Sequence, residues 1–147
     1  MKFQLQDGES LLNKSVVAYR SNAKSVSDLS YNNQENGRLY ITSERVVFTS
    51  TRGILALVGQ IVDLLFPSLQ DEVIDVPYAE IRAYTIRKIT GIKHLVLKMN
   101  DDNGQLRDFV FAGANVLANS SWVDTVSQVI LSAAKSKGVE IPFVQDA

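Results

Sequence analysis

Alternation of apolar and polar residues dominates the middle of this chain, and a period of two sends successive side chains to opposite faces of a β-strand. Residues 15–20 form the first such run, with Val16, Val17 and Tyr19 as β-favouring side chains after the loop Asp7-Gly8-Glu9. Residues 21–36 turn polar and read as a long connection with a short strand near 29–31, closed by the turn signal Asn36-Gly37. Two β-rich runs follow within residues 37–50, joined across 42–44, which suits a tight antiparallel hairpin with Leu39 and Ile41 facing one core. Further strands are expected at 73–76, 81–87, 92–99 and 106–111, separated by Pro77, by a turn over 88–91 and by Asp101-Asp102-Asn103-Gly104.

The period then changes. Trp122, Val126, Val129, Ile130 and Ala133 recur at steps of three and four between a cap region, Asn119-Ser120-Ser121, and Gly138. This predicts a C-terminal amphipathic helix whose apolar stripe covers an open end of the β-structure, with Trp122 as its largest anchor. Residues 138–147 read as a tail. The expected fold is mainly β with α: a barrel or sandwich of about seven antiparallel strands closed by one helix, as a single domain with its core over 7–137.

One segment stands outside this plan. Gly53 to Pro67 is almost wholly apolar and lies between two expected strands; on a helix, Ala56, Gly59, Gln60 and Asp63 share a narrow face and the remainder is hydrophobic. Such a helix cannot stay in water, and at ~20 Å it is too short to cross a bilayer. Interfacial helices carry lysine and arginine on the polar face, which this one lacks, so its expected destination is the protein itself or a partner subunit. The candidate interface residues are Leu55, Leu57, Val58, Ile61, Val62, Leu65 and Phe66.

Charge and composition narrow the function. Fifteen basic and sixteen acidic residues leave a net charge of −1, with no global attraction to nucleic acid or anionic lipid, so any electrostatic site is a local patch. The densest patch is 81–99, where Arg82, Arg87, Lys88, Lys93 and Lys98 accompany the sole histidine, His94, without an acidic residue. If the two strands there pair, Arg87, Lys88 and Lys93 gather at the tip as a candidate site for a phosphate or lipid headgroup. The plainer alternative is a solvated hairpin whose lysines discourage edge pairing. His94 is expected on the outer face beside Lys98, exposed, and a lone histidine in a chain without cysteine makes no typical zinc site. The absence of cysteine and of a secretory pattern points to the cytoplasm. No nucleophile with its base, metal cluster or phosphate-cradling loop is evident, so no catalytic residue, metal, cofactor or small-molecule substrate is expected.

The stretch Gly37-Arg38-Leu39-Tyr40-Ile41-Thr42-Ser43-Glu44-Arg45-Val46-Val47-Phe48 resembles the signature of GRAM domains, of the pleckstrin-homology-like class. Asp7-Gly8-Glu9 and Val76-Pro77-Tyr78-Ala79-Glu80-Ile81 extend that likeness to about residues 7–137. The resemblance implies a non-catalytic module that binds proteins, membranes or phosphoinositides. In phosphoinositide-binding members the loop after the first strand supplies clustered cations, whereas here Asp28 and Glu35 dilute Arg20 and Lys24. Within the signature, Gly37 is read as a turn glycine with positive φ and Thr42 as a hydroxyl bonded to the hairpin backbone. Arg45 is expected either to pair with a carboxylate such as Glu80 or to point at an anion. Two readings of function stay open: protein interaction or self-assembly through 54–66, and attachment to an anionic membrane through the basic hairpin.

Overall fold

The structure, a computed structural model, describes residues 3–25, 35–51, 73–114 and 118–146. Within them the elements follow the expected order: β1 (Leu11–Ser21), β2 (Glu35–Thr42), β3 (Arg45–Thr51), β4 (Val73–Pro77), β5 (Ile81–Ile89), β6 (Ile92–Asn100), β7 (Leu106–Gly113) and α1 (Asn119–Ser136). The short strand near 29–31 and the apolar insertion lie outside the described residues. The seven strands form one antiparallel sheet in the spatial order β4-β3-β2-β1-β7-β6-β5.

The two outermost strands of that sheet are neighbours in sequence, joined only by the 3-10 turn Tyr78–Glu80. Six strand spacings of a flat sheet amount to about 29 Å, far more than three linking residues can span at ~3.5 Å each. The sheet therefore coils until β4 and β5 approach at the turn. No ladder joins these two strands among the described residues, so the sheet is open along that seam and a closed barrel is not what is seen.

Coiling gathers the inward side chains. Val17, Tyr19, Leu39, Ile41, Phe48, Leu95, Leu97, Phe109 and Phe111 share one core with Val123, Val126, Ile130, Ala133 and Ala134 of α1. Tyr19 is central, with ring centroids 5.1 Å from Phe48 and 5.2 Å from Phe111, in tilted contacts that aromatic quadrupoles favour. Trp122 sits half-buried at the rim rather than at the centre and packs over Gly113, where an added Cβ would lie 3.1 Å from the indole. The cap region works differently from its expected role: Ala118 holds the N-cap position, and the Asn119 side chain instead receives the Gly113 N–H at 2.7 Å and donates to the Lys93 carbonyl at 2.7 Å. It thereby pins the start of α1 to β6 and β7. At the other end Lys137 donates to Glu44 in the β2–β3 turn at 2.6 Å.

Three further readings change. Asn36 and Gly37 lie inside β2, not in a turn, and Gly37 has no positive φ. Glycine is required there by close approach, because a Cβ would stand 2.2 Å from the Thr49 carbonyl oxygen and 2.8 Å from the Ser50 Cα. The tail is not loose either. Tyr84 N–H donates to the Pro142 carbonyl and Val144 N–H to the Tyr84 carbonyl, both at 3.0 Å, so the segment runs parallel along the outer edge of β5. The turn between β5 and β6 is confined to Thr90 and Gly91, with β5 extending to Ile89.

Gly37→Ala is expected to destabilise the fold by ~3 kcal/mol through backbone displacement. Gly138→Ala, at a positive φ but in open space, should cost only about 1 kcal/mol. Urea midpoints of the two variants check the ranking.

Candidate functional site

Arg45 opens β3 and reaches back across the start of the chain. Its Nε donates to Glu9 Oε2 at 2.8 Å and its Nη2 to Glu9 Oε1 at 3.1 Å, a bidentate pair. Nη1 donates to Asp75 Oδ2 at 2.6 Å and Nη2 also to the Gln4 carbonyl at 2.9 Å. The expected partner Glu80 is not involved. Thr42 completes the cluster: its hydroxyl donates to Glu9 at 2.6 Å while accepting the N–H groups of Glu44 and Arg45 at 3.0 Å each, as the hairpin reading anticipated. Phe3 covers the guanidinium, 5.5 Å from ring centroid to Cζ, and stacks on Tyr40 at 4.1 Å. The Glu9 side chain is fully buried, and the hydrogen bonds from Arg45 hold its carboxyl at about 2 against an ordinary 4.5. The threonine and arginine of the signature thus fasten the hairpin to the Asp7-Gly8-Glu9 turn, and no guanidinium edge is left for an anion.

Arg87 is placed quite differently from the hairpin-tip reading. Neighbouring residues on a strand point to opposite faces, so Arg87 and Lys88 separate. Arg87 is buried on the outer face of β5, with its side chain 5% exposed. Nη1 donates to the Ala23 carbonyl at 2.8 Å, and Nη2 to Asp108 Oδ2 at 2.9 Å. Nε and Nη2 together clasp both oxygens of Asp146, at 2.9 and 2.8 Å. Lys98 holds the other oxygen of Asp108 at 2.9 Å. Burial works against ionisation of Asp108, yet the hydrogen bonds from Lys98 and Arg87 keep its carboxyl below the usual carboxylate range. Asp146 is held low mainly by its bonds from Arg87.

His94 stands opposite Arg87 in the ladder, on the face shared with Lys98 as expected, but it is buried rather than exposed. Its Nδ1 lies 2.9 Å from the Ile92 carbonyl oxygen, and burial, together with nearby Arg20, pushes its pKa down. Val96, Val110, Ile89 and Ala23 form a second small apolar cluster on this face.

What remains at the hairpin tip is Lys88 and Lys93, directly opposite one another across β5 and β6. Lys93 Nζ is 3.9 Å from Asp124 Oδ1 on α1. Two like charges face to face, one already near a carboxylate, make a thin anion site. Glu9, Asp108 and Asp146 were not among the candidates because each lies far along the chain from the arginine it meets. The candidate interface residues Leu55, Leu57, Val58, Ile61, Val62, Leu65 and Phe66 lie outside the described residues.

The open seam forms a cavity of about 460 Å³ lined by Asp75, Val76, Glu80, Arg82, Met99 and Asp101, with neighbouring turn residues. Asp101 is committed to its turn, accepting the N–H groups of Asn103 and Gln105 and pairing with Arg107 at 3.0 Å. No group of metal-ligating side chains converges among the described residues, and no described helix is long and apolar enough to cross a membrane.

Comparison with known proteins places the fold. No family model matches the chain, and no curated protein matches it. Among solved structures it is similar to the hSac2 domain from the human phosphoinositide phosphatase Sac2, with a TM-score of 0.65 at 6% identity over 97% of this chain and 80% of that one. A second match is the C-terminal domain of an unknown protein from Leishmania infantum, with a TM-score of 0.46 at 15% identity over 85% and 87% of the two chains. The first likeness shows a shared fold.

Glu9 generates a pH dependence whose sign is fixed by its lowered pKa. The unfolded carboxyl binds its proton near 4.5 and the folded one only near 2, so the stabilisation is complete above 4.5 and is lost as pH falls through that window. The loss should reach up to about 3 kcal/mol. In Glu9→Gln, stability at pH 7 should drop by a similar amount, and the change between pH 5 and 2 should flatten relative to the parent, as urea unfolding at several pH values would report.

Proposed function

We propose that this chain is a non-catalytic binding module of the GRAM, pleckstrin-homology-like kind, working in the cytoplasm, and that residues 54–66 are its recognition element for a protein partner or a second copy. The supporting observation is topological. β3 and β4 are antiparallel neighbours in register from Arg45–Pro77 to Thr49–Val73, a pairing that about two to five linking residues can close. The chain uses residues 52–72 instead, including its most apolar sequence. A connection so much longer than the hairpin needs, and so rich in leucine, isoleucine and valine, has a purpose beyond joining two strands.

Attachment to an anionic membrane through the hairpin is the weaker reading. With Arg87 withdrawn into the protein it rests on Lys88 and Lys93, each contributing ~1 kcal/mol near an anionic surface. The described ion pairs at Arg45 and Arg87 likewise favour a scaffold over a reaction centre, since each guanidinium commits four of its five N–H donors to the chain's own oxygens.

Light scattering at micromolar concentration should show a dimer or larger species, or capture of a protein partner, that is abolished by Leu57→Glu with Leu65→Glu while the circular dichroism of the fold persists. Unchanged assembly and capture in that variant would sink the reading. Co-sedimentation with phosphatidylserine vesicles, lost when Lys88 and Lys93 become glutamate, would favour the membrane instead.

A further inference from the structure

The outer edge of β5 carries a small receptor that the chain itself fills. Any edge strand offers unpaired N–H and C=O groups to a passing strand. On β5 those of Tyr84 are taken by residues 142–144. The register is matched in parallel: Phe143 stands beside Tyr84, ring centroids 5.3 Å apart in an edge-on contact, and Asp146, three residues on, meets Arg87, three residues on from Tyr84. An odd step along a strand changes face, so the aromatic ring lies on one side of the sheet and the carboxylate on the other.

Receptor and occupant are unequal in how firmly they are held. Arg87 is buried, braced by the Ala23 carbonyl and by Asp108, which Lys98 braces in turn. It turns its Nε and Nη2 edge outward as a rigid pair of donors with the geometry a carboxylate requires. The occupant, by contrast, is anchored in the core at Ile141, which is buried; beyond it the segment holds to β5 through two backbone hydrogen bonds and the clasp of Arg87 on Asp146, with Phe143 55% exposed and the Asp146 side chain 30% exposed. A preorganised site whose occupant is largely exposed beyond Ile141 is open to exchange with another segment of the same chemistry.

We infer that the edge of β5, with Tyr84 and Arg87, is a binding site for an extended peptide segment that presents an aromatic residue and, three positions later, a carboxylate, and that residues 141–146 are its resident occupant. This surface is separate from residues 54–66, and neither reading requires the other.

The test uses a fluorescein-labelled peptide of residues 139–147 and the whole chain carrying Phe143→Ala with Asp146→Asn, which weakens the resident segment. Fluorescence anisotropy should show the peptide binding this variant at least about tenfold more tightly than the parent chain, where the tethered segment competes. A peptide with asparagine in place of its aspartate should lose about tenfold or more in affinity, as removal of a charge-assisted bidentate contact does. If the double variant does not fold, the chain with Asp146→Asn alone carries the same comparison. Equal binding by the parent and the variant, or equal affinity of the aspartate and asparagine peptides, overturns the inference.

Discussion

Three residues between β4 and β5 dictate the shape of this molecule. Because Tyr78–Glu80 ties together the two outermost strands of a seven-stranded sheet, the sheet has to coil, and everything else follows from the inside and outside that coiling creates. The inside collects the aromatic and aliphatic residues around Tyr19 and is covered by α1. Tyr78, within the tether, is buried and donates its hydroxyl to the Thr42 carbonyl at 2.5 Å, so the turn that bends the sheet is locked to the hairpin on its far side. Burial of that hydroxyl, with Glu44 and Glu9 nearby, raises its pKa well above the ordinary tyrosine value and keeps it a donor.

The outside is organised by two arginines that play parallel roles. Arg45 binds the N-terminal segment through Glu9 and the Gln4 carbonyl, and Arg87 binds the C-terminal segment through Asp146. Each is a planar fork that satisfies several acceptors at once, something a lysine at either position could not reproduce. Buried ion pairs contribute little net stability over apolar packing of equal volume, because desolvation offsets most of the attraction. Their effect here is geometric: with Ile141 buried in the core and Phe3 stacked on Tyr40, they fix how the two terminal segments lie against the sheet.

Strands and helix were legible because their signal is periodic and local. Every expected strand within the described residues is present, and α1 spans the expected stripe from the cap region to just before Gly138. The Thr42 hydroxyl was readable in part: the N–H groups it accepts, from Glu44 and Arg45, lie within three residues, whereas the Glu9 carboxylate it donates to lies 33 residues away. What could not be read were pairings at long range. Glu9 and Arg45 are separated by 36 residues and Arg87 and Asp146 by 59, and no local pattern selects them over Glu80 or a foreign anion. His94 shows the same limit in another form: alternation assigned the correct face, but alternation says nothing about whether that face is covered. Gly37 was misread because a glycine needed for close strand approach looks, in sequence, the same as one needed for a turn. Thr42 and Arg45 lock the hairpin to Glu9, so these two residues are occupied by the fold itself and name no ligand.

The tail illustrates why a buried charge pair can matter for register more than for energy. Residues 141–146 are too few and too irregular to announce a strand, and two backbone hydrogen bonds would permit sliding along β5. A shift by one residue would carry Phe143 away from Tyr84 to the opposite face and leave Arg87 without the Asp146 carboxylate, exposing a desolvated guanidinium edge to no partner. Only one alignment satisfies the ring and the fork together. The specificity of this edge therefore resides in the three-residue spacing between an aromatic contact on one face and a charge contact on the other, and that spacing is a property any extended segment could share.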